Sequence, residues 1–425
     1  MLIFFFFSCK KEKKDTISPL VTINKPSSGQ PFSMFDTLTV NAHVSDETHL
    51  SSIVVALTDI NNIVLQYTYS VPIQNNDFTF NIKYILNAYH ISSGFYYLSV
   101  TVSDGSNTTQ RTVKIYITES PTVKTGYFIV GASQPKIITK YDATFVQQST
   151  ISLATGLNGM AYGSYYNQLY INGNINQPFT GYDAIMNGTT WSFPYSGGGQ
   201  PTFECVATDG QKAFIGYYSG YIASVTYTGG LSTFYSNGNS NYYPYYFALT
   251  SSYGLGAYKD KFSGSDRLYS FYRNSGVGTN NVFLPYTVLG IFEYTNTQMY
   301  IFGNLSSGQA AYYLYDVIAN NLSGPVVIPN GKLLSVAQVN PNYLLLALDD
   351  GKIYGYSSTG LGGSYQPLAT IRAQKIIYNT KMNELNAAVK NSVYSYSLST
   401  NYVLSLTGFQ SIADSIIGFE VITNK

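Results

Sequence analysis

Histidine is almost missing from this 425-residue chain: there are three, His43, His49 and His90, and none follows position 90. The long C-terminal region therefore has no histidine general base, no Ser-His-Asp triad and no histidine-ligated metal. The three histidines form no ligand motif. His43 falls on a predicted strand and the others near loops, so no metal is expected. Cysteine is scarcer still, with Cys9 and Cys205 alone, which excludes a disulfide framework. Cys205 sits in an apolar stretch and reads as a small core residue. Charged residues make up 11% of the chain and the net charge is +1, so there is no basic surface for nucleic acid. No window keeps a helical period.

What the chain has in abundance is tyrosine, 42 residues, set among Asn, Ser and Gly. The tyrosines mark a diffuse repeat of about 43 residues, the length of one four-stranded blade. One register aligns short apolar strands at 127–130 (YFIV), 168–171 (QLYI), 213–216 (AFIG), 254–257 (GLGA), 298–301 (QMYI), 343–346 (YLLL) and 385–388 (LNAA). About ten residues later comes a strand often ending in Tyr-Asp or Tyr-Ser, as at 138–142, 179–183, 311–316 and 393–396. A third strand follows. Then an apolar strand opens the next unit: 159–162, 203–206, 246–249, 289–292, 334–337 and 376–378. The stretch 416–422 (IIGFEVI) is one more opening strand with no unit after it. The first unit, starting at Tyr127, has none of its own. Pairing the two ends would remove a free sheet edge.

The blades resemble the "lyv-turn-vyD" kind found in YVTN- and NHL-like propellers. The resemblance implies an all-β fold, with residues 126–425 forming a seven-bladed β-propeller closed by the C-terminal strand. Residues 18–121 read differently. Seven strands, at 20–23, 38–44, 53–57, 64–69, 78–82, 96–102 and 113–117, lie within about 100 residues, which predicts a β-sandwich. The pieces Pro26…Gly29, 44–46 (VSD) and 94–104 (GFYYLSVTVSD) resemble bacterial immunoglobulin-like or fibronectin III-like modules. Such modules act as spacers or docking units. The linker is expected at 119–122 (ESPT).

The start of the chain, an apolar run at 2–7, then Ser8-Cys9, then 10–15 (KKEKKD), resembles a lipoprotein signal peptide of the Bacteroidota type. The resemblance implies lipidation of Cys9, residues 1–17 as signal and charged tether, and a membrane anchor. The address implied is the outer membrane, at the cell surface or its periplasmic face. Three segments, 15–17 (DTI), 36–38 (DTL) and 414–416 (DSI), resemble the O-glycosylation acceptor of the same bacteria.

Catalytic candidates are few. Asp209 and Asp350 precede glycines and serve turns first. Glu204 and Glu293 fall in opening strands, which line the central channel, and a facing carboxylate pair would suit glycoside hydrolysis. The Gly-rich runs 196–199 and 360–363 precede no helix and cradle no phosphate. No cofactor is expected. The aromatic candidates for ligand contact are Trp191, Tyr217, Tyr218, Tyr235, Tyr242, Tyr243 and Tyr245. Tyrosines of this kind stack on sugars or anchor a protein, and they equally serve inter-blade packing. Three functions stay open: a non-enzymatic surface lipoprotein binding an envelope protein partner, a glycan-binding lipoprotein, and a His-independent glycosidase or lyase.

Overall fold

The computed structural model describes residues 15–66, 69–87, 90–153, 156–175, 177–195 and 202–425. Cys9 and the 196–199 run lie outside the described residues. Every regular element described is a strand, and the chain divides into two units between Pro121 and Thr122.

In the first unit, Leu20–Lys25, Thr37–Ser45 and Asp77–Ile85 form a three-stranded sheet. Pro31–Ser33, Thr108–Thr118, Gly94–Ser103, Ser52–Thr58 and Tyr69–Val71 form a five-stranded one, in that order. Strict alternation decides what is buried. Leu38, Val40, Ala42 and Val44 point inward on one sheet and Leu98, Val100 and Val102 on the other, all into one core. Two details depart from the sequence reading. Pro31–Ser33 is an added strand, pairing in parallel with Thr108–Thr118. Of the strand expected at 64–69, residues 67 and 68 lie outside the described residues; Val64 forms a bridge with Thr58, and Tyr69 opens the paired edge strand Tyr69–Val71. Between them, the Gln66 side chain donates to the Ile85 carbonyl (2.6 Å) and accepts from the Asn87 amide (2.8 Å).

The described residues of the second unit form seven four-stranded antiparallel sheets, six of them meanders of consecutive strands. A representative sheet runs Leu157–Gly163, Gln168–Gly173, Phe179–Asp183, Gly188–Phe193. One sheet is composite: Lys124–Gly131, Lys136–Asp142 and Gln147–Leu153 are completed by Ile416–Thr423, with Phe419 opposite Ile129. Successive opening strands neighbour one another, and Ile416–Thr423 neighbours both Lys375–Asn379 and Leu157–Gly163. The arrangement is propeller-like, with opening strands innermost.

Hydrogen bonds between sheets fix how these strands run. Starts meet starts: Asn158 donates to the Phe203 carbonyl, and the Val288 amide donates to Tyr245 Oη. Ends meet ends: Gln338 donates to the Glu293 carbonyl, and Tyr162 to the Thr423 carbonyl. All starts therefore lie on one face of the unit, called here the leading face, and all ends on the trailing face.

The Tyr-Asp repeat has a physical explanation. The tyrosine is core: Tyr182 and Tyr315 are buried between sheets, each withdrawing about 150–250 Å² from water. The aspartate ties the turn that follows. Asp183 accepts from the amides of Ile185 and Met186, and Asp316 from those of Ile318 and Ala319. Asn187 and Asn320 then take left-handed φ values of 54° and 49°, a conformation asparagine tolerates well.

Candidate functional site

The opening strands share an irregularity. In six of the seven, the antiparallel register slips near the start, at Asn158, Glu204, Tyr245, Leu289, Leu334 and Ile417. A bulge frees one residue from the ladder and re-aims its side chain. The sheet geometry thus sets a ring of re-aimed side chains at the leading face.

Glu204 is the anionic member of that ring. It stands between Phe203 and Cys205, which pair with Tyr217 and Gly216. Its carboxylate is half-buried, and no hydrogen bond or ion pair reaches it among the described residues. Burial pushes its pKa from 4.5 up to about 7, opposed by the charge of Lys261. Lys261 comes from the neighbouring sheet, in the turn after Tyr253–Asp260. Its Nζ donates to the Ser240 carbonyl (2.5 Å) and lies 4.0 Å from the centre of the Tyr218 ring. Burial pulls this ammonium below the usual lysine value, and Glu204 counters the shift. Tyr218 packs on Tyr243, with ring centres 5.1 Å apart and planes tilted by 32°. Burial, then the charge of Glu204, raises the Tyr243 hydroxyl. One corner of the leading face thus holds a carboxylate, an ammonium and two tyrosine rings.

The other candidates are placed as follows. Tyr242 starts the next opening strand, edge-on to Tyr269 and under the Arg267 guanidinium. Tyr217 is buried, stacked on Tyr221 at 4.2 Å and edge-on to Phe203. Tyr235 is buried and stacked on Phe271 at 4.3 Å. Tyr245 spends its hydroxyl on the Val288 amide. Trp191 is half-buried, donates Nε1 to the Tyr227 carbonyl (2.9 Å) and packs on Phe179 and Phe193. The contacts of Tyr235 with Phe271, Trp191 with Tyr227 and Tyr245 with Val288 run between sheets, and the others pack side chains within one sheet. Glu293 ends its strand on the trailing face, where it accepts from the amide and hydroxyl of Ser251, both at 2.6 Å. Glu204 and Glu293 are thus on opposite faces.

In the first unit, Asp15, Asp46 and Asp104 bring carboxylate oxygens within 4.8 Å of one another, the one such group among the described residues. Asp46 and Asp104 already accept backbone amides of their own loops, from Thr48, His49, Ser106 and Asn107. Two features of the propeller-side corner escaped sequence reading: the bulges and Lys261. A signal for the latter was present, since KDK at 259–261 is a dense charge run in a sparsely charged chain.

No family model matches the chain, and no curated protein matches it. Similar solved structures include a quinoprotein alcohol dehydrogenase-like protein of Bacteroides thetaiotaomicron, at 11% identity over 96% of this chain and 100% of that one, TM-score 0.47. Another is a 6-phosphogluconolactonase-like protein of Bacteroides uniformis, at 14% identity over 70% and 99%, TM-score 0.48. A third is hydrazine synthase of Kuenenia stuttgartiensis, at 12% identity over 63% and 86%, TM-score 0.46. Likeness at this level assigns no activity.

Proposed function

We propose that this protein is a non-enzymatic outer-membrane lipoprotein, anchored through Cys9, in which an immunoglobulin-like sandwich carries a closed seven-bladed propeller. The propeller binds a partner at its leading face, as an accessory subunit of an envelope protein complex. The observation that carries the reading is the Glu204–Lys261–Tyr218–Tyr243 corner. It offers a half-buried, unpartnered carboxylate and paired aromatic rings on the face where the re-aimed bulge residues gather. Half-buried aromatic and charged groups of this kind form the anchors of protein interfaces. A His-independent glycosidase built on Glu204 and Glu293 has no support, because their faces differ. Glycan binding is the second reading, favoured by tyrosine rings beside a carboxylate and an ammonium.

The test is affinity purification of the tagged protein from mildly solubilised membranes, alongside a Cys9→Ala variant. A stoichiometric membrane protein, depleted in the variant, supports the reading. Recovery of the lipoprotein alone counts against it and moves glycan binding forward.

A further inference from the structure

We infer that the corner formed by Glu204, Tyr218 and Tyr243 receives a cationic side chain, an arginine or lysine, presented by a partner protein. The inference rests on the partner-binding reading and names the chemistry of its anchor.

Lys261 is the cation beside the corner, and its hydrogen bond goes to the Ser240 carbonyl while its Nζ lies over the Tyr218 ring. It forms no ion pair with Glu204, although its charge is felt there. The corner therefore retains an acceptor, the Glu204 carboxylate, without a donor. Tyrosine faces carry negative quadrupole charge and attract cations, and Lys261 on Tyr218 shows this attraction within the molecule. A guanidinium or ammonium satisfies both demands at once, by a charge-assisted hydrogen bond to the carboxylate and by contact with a ring. An uncharged ligand such as a sugar can bond the tyrosine hydroxyls but leaves the Glu204 carboxylate without a counter-charge.

Burial supports the same conclusion. The half-buried carboxylate holds its proton up to about pH 7, because water is withdrawn and Lys261 compensates only in part. An arriving cation replaces that water with an opposite charge, so binding releases a proton and strengthens as pH rises. Lys261, Tyr243 and Cys205, the next residue in the strand, feel the charge of Glu204, and Tyr218 joins them through its contacts with Lys261 and Tyr243. Asp266, paired with Lys259 at 3.0 Å, acts more distantly, on Tyr243. The raised values of Cys205 and Tyr243 leave Glu204 as the group that titrates near neutrality.

The experiment titrates the purified full chain with N-acetyl-arginine amide, and with N-acetyl-citrulline amide as its uncharged counterpart, followed by ligand-observed NMR. Arginine amide is expected to bind about tenfold tighter than citrulline amide. The gap should narrow about fivefold in Glu204→Gln and widen from pH 6 to pH 8. Lys261→Met removes a like charge and frees the Tyr218 ring, so it should tighten arginine amide binding about threefold. This gain-of-affinity variant keeps the test decisive if Glu204→Gln folds poorly. Equal binding of the two amides overturns the inference. So does an unchanged gap in Glu204→Gln, or an oligosaccharide such as maltoheptaose that binds through Glu204 while arginine amide does not. The membrane purification separates the two claims. A partner retained by Glu204→Gln overturns the cation anchor and keeps the partner reading. Glu204-dependent arginine binding with no partner recovered supports the anchor and counts against the partner reading.

Discussion

Replacing Glu204 with glutamine should stabilise the protein at alkaline pH and leave it unchanged in mild acid. Folding raises this carboxyl from 4.5 to about 7, so between those values the folded chain keeps a proton that the unfolded chain has lost. The favourable contribution is full below about pH 4.5 and falls as pH rises through 7, because the unfolded state binds fewer protons across that window. At about 1.4 kcal/mol per tenfold change in proton affinity, the full effect would be ~3 kcal/mol. The side chain is only half-buried, so solvent screening is taken to remove about half, leaving ~1.5 kcal/mol. Glutamine has nearly the same shape and never carries the charge. For a unit of this size, the gain at pH 8 corresponds to about 2–5 °C in Tm. The assay is thermal unfolding of both proteins from pH 5 to 8.5 at constant ionic strength. A Tm difference that stays the same at pH 5 and pH 8.5, or a variant less stable at pH 8, would refute the reasoning.

Three further predictions concern packing and turns. Phe419, fully buried among Ile129, Ala388 and Val393 where the last strand closes the composite sheet, should cost about 3–5 kcal/mol as Phe419→Ala in urea unfolding. Cys205, whose thiol is pushed up to about 12 by burial, should resist maleimide at pH 8 in the folded protein and react fully once unfolded; labelling of the native form would show that this strand opens. Asp316→Ala removes two hydrogen bonds that hold a turn and should lower stability by about 1–2 kcal/mol, whereas Asp316→Asn should recover most of the loss, since its amide oxygen accepts in the same place.

The strand positions of the second unit were legible because each sheet repeats the same demands. The run 168–171 falls inside Gln168–Gly173, and 416–422 pairs with Lys124–Gly131. Tyrosine fills the inter-sheet core and aspartate ties the turn, so chemistry recurs even where identity does not. At Gln66 the side chain bonds the Ile85 carbonyl and the Asn87 amide, some 20 positions away, a long-range contact that local alternation does not register. At the corner, Glu204, Tyr218 and Tyr243 stood out as residue types in plausible strands and loops. That they converge, and that Tyr217 and Tyr235 turn inward, depends on side-chain direction. One bulge decides it for Glu204, and a bulge leaves no mark in a sequence of this length. Lys261 went unread because it belongs to a different repeat, some 57 positions beyond Glu204, and only the packing of adjacent sheets brings the two together.

The composite sheet also governs the order in which the molecule can be made. A chain emerging from the ribosome, or threaded across a membrane, delivers Lys124–Gly131 long before Ile416–Thr423. Throughout that interval the innermost edge of the first sheet has no partner, and Ile129 has no Phe419 against it. Each later sheet carries its own four strands and can assemble as it appears. The first must wait for the last. Closure therefore waits until Ile416–Thr423 has appeared, and until then a chaperone or a protease meets a bare edge that the folded unit conceals.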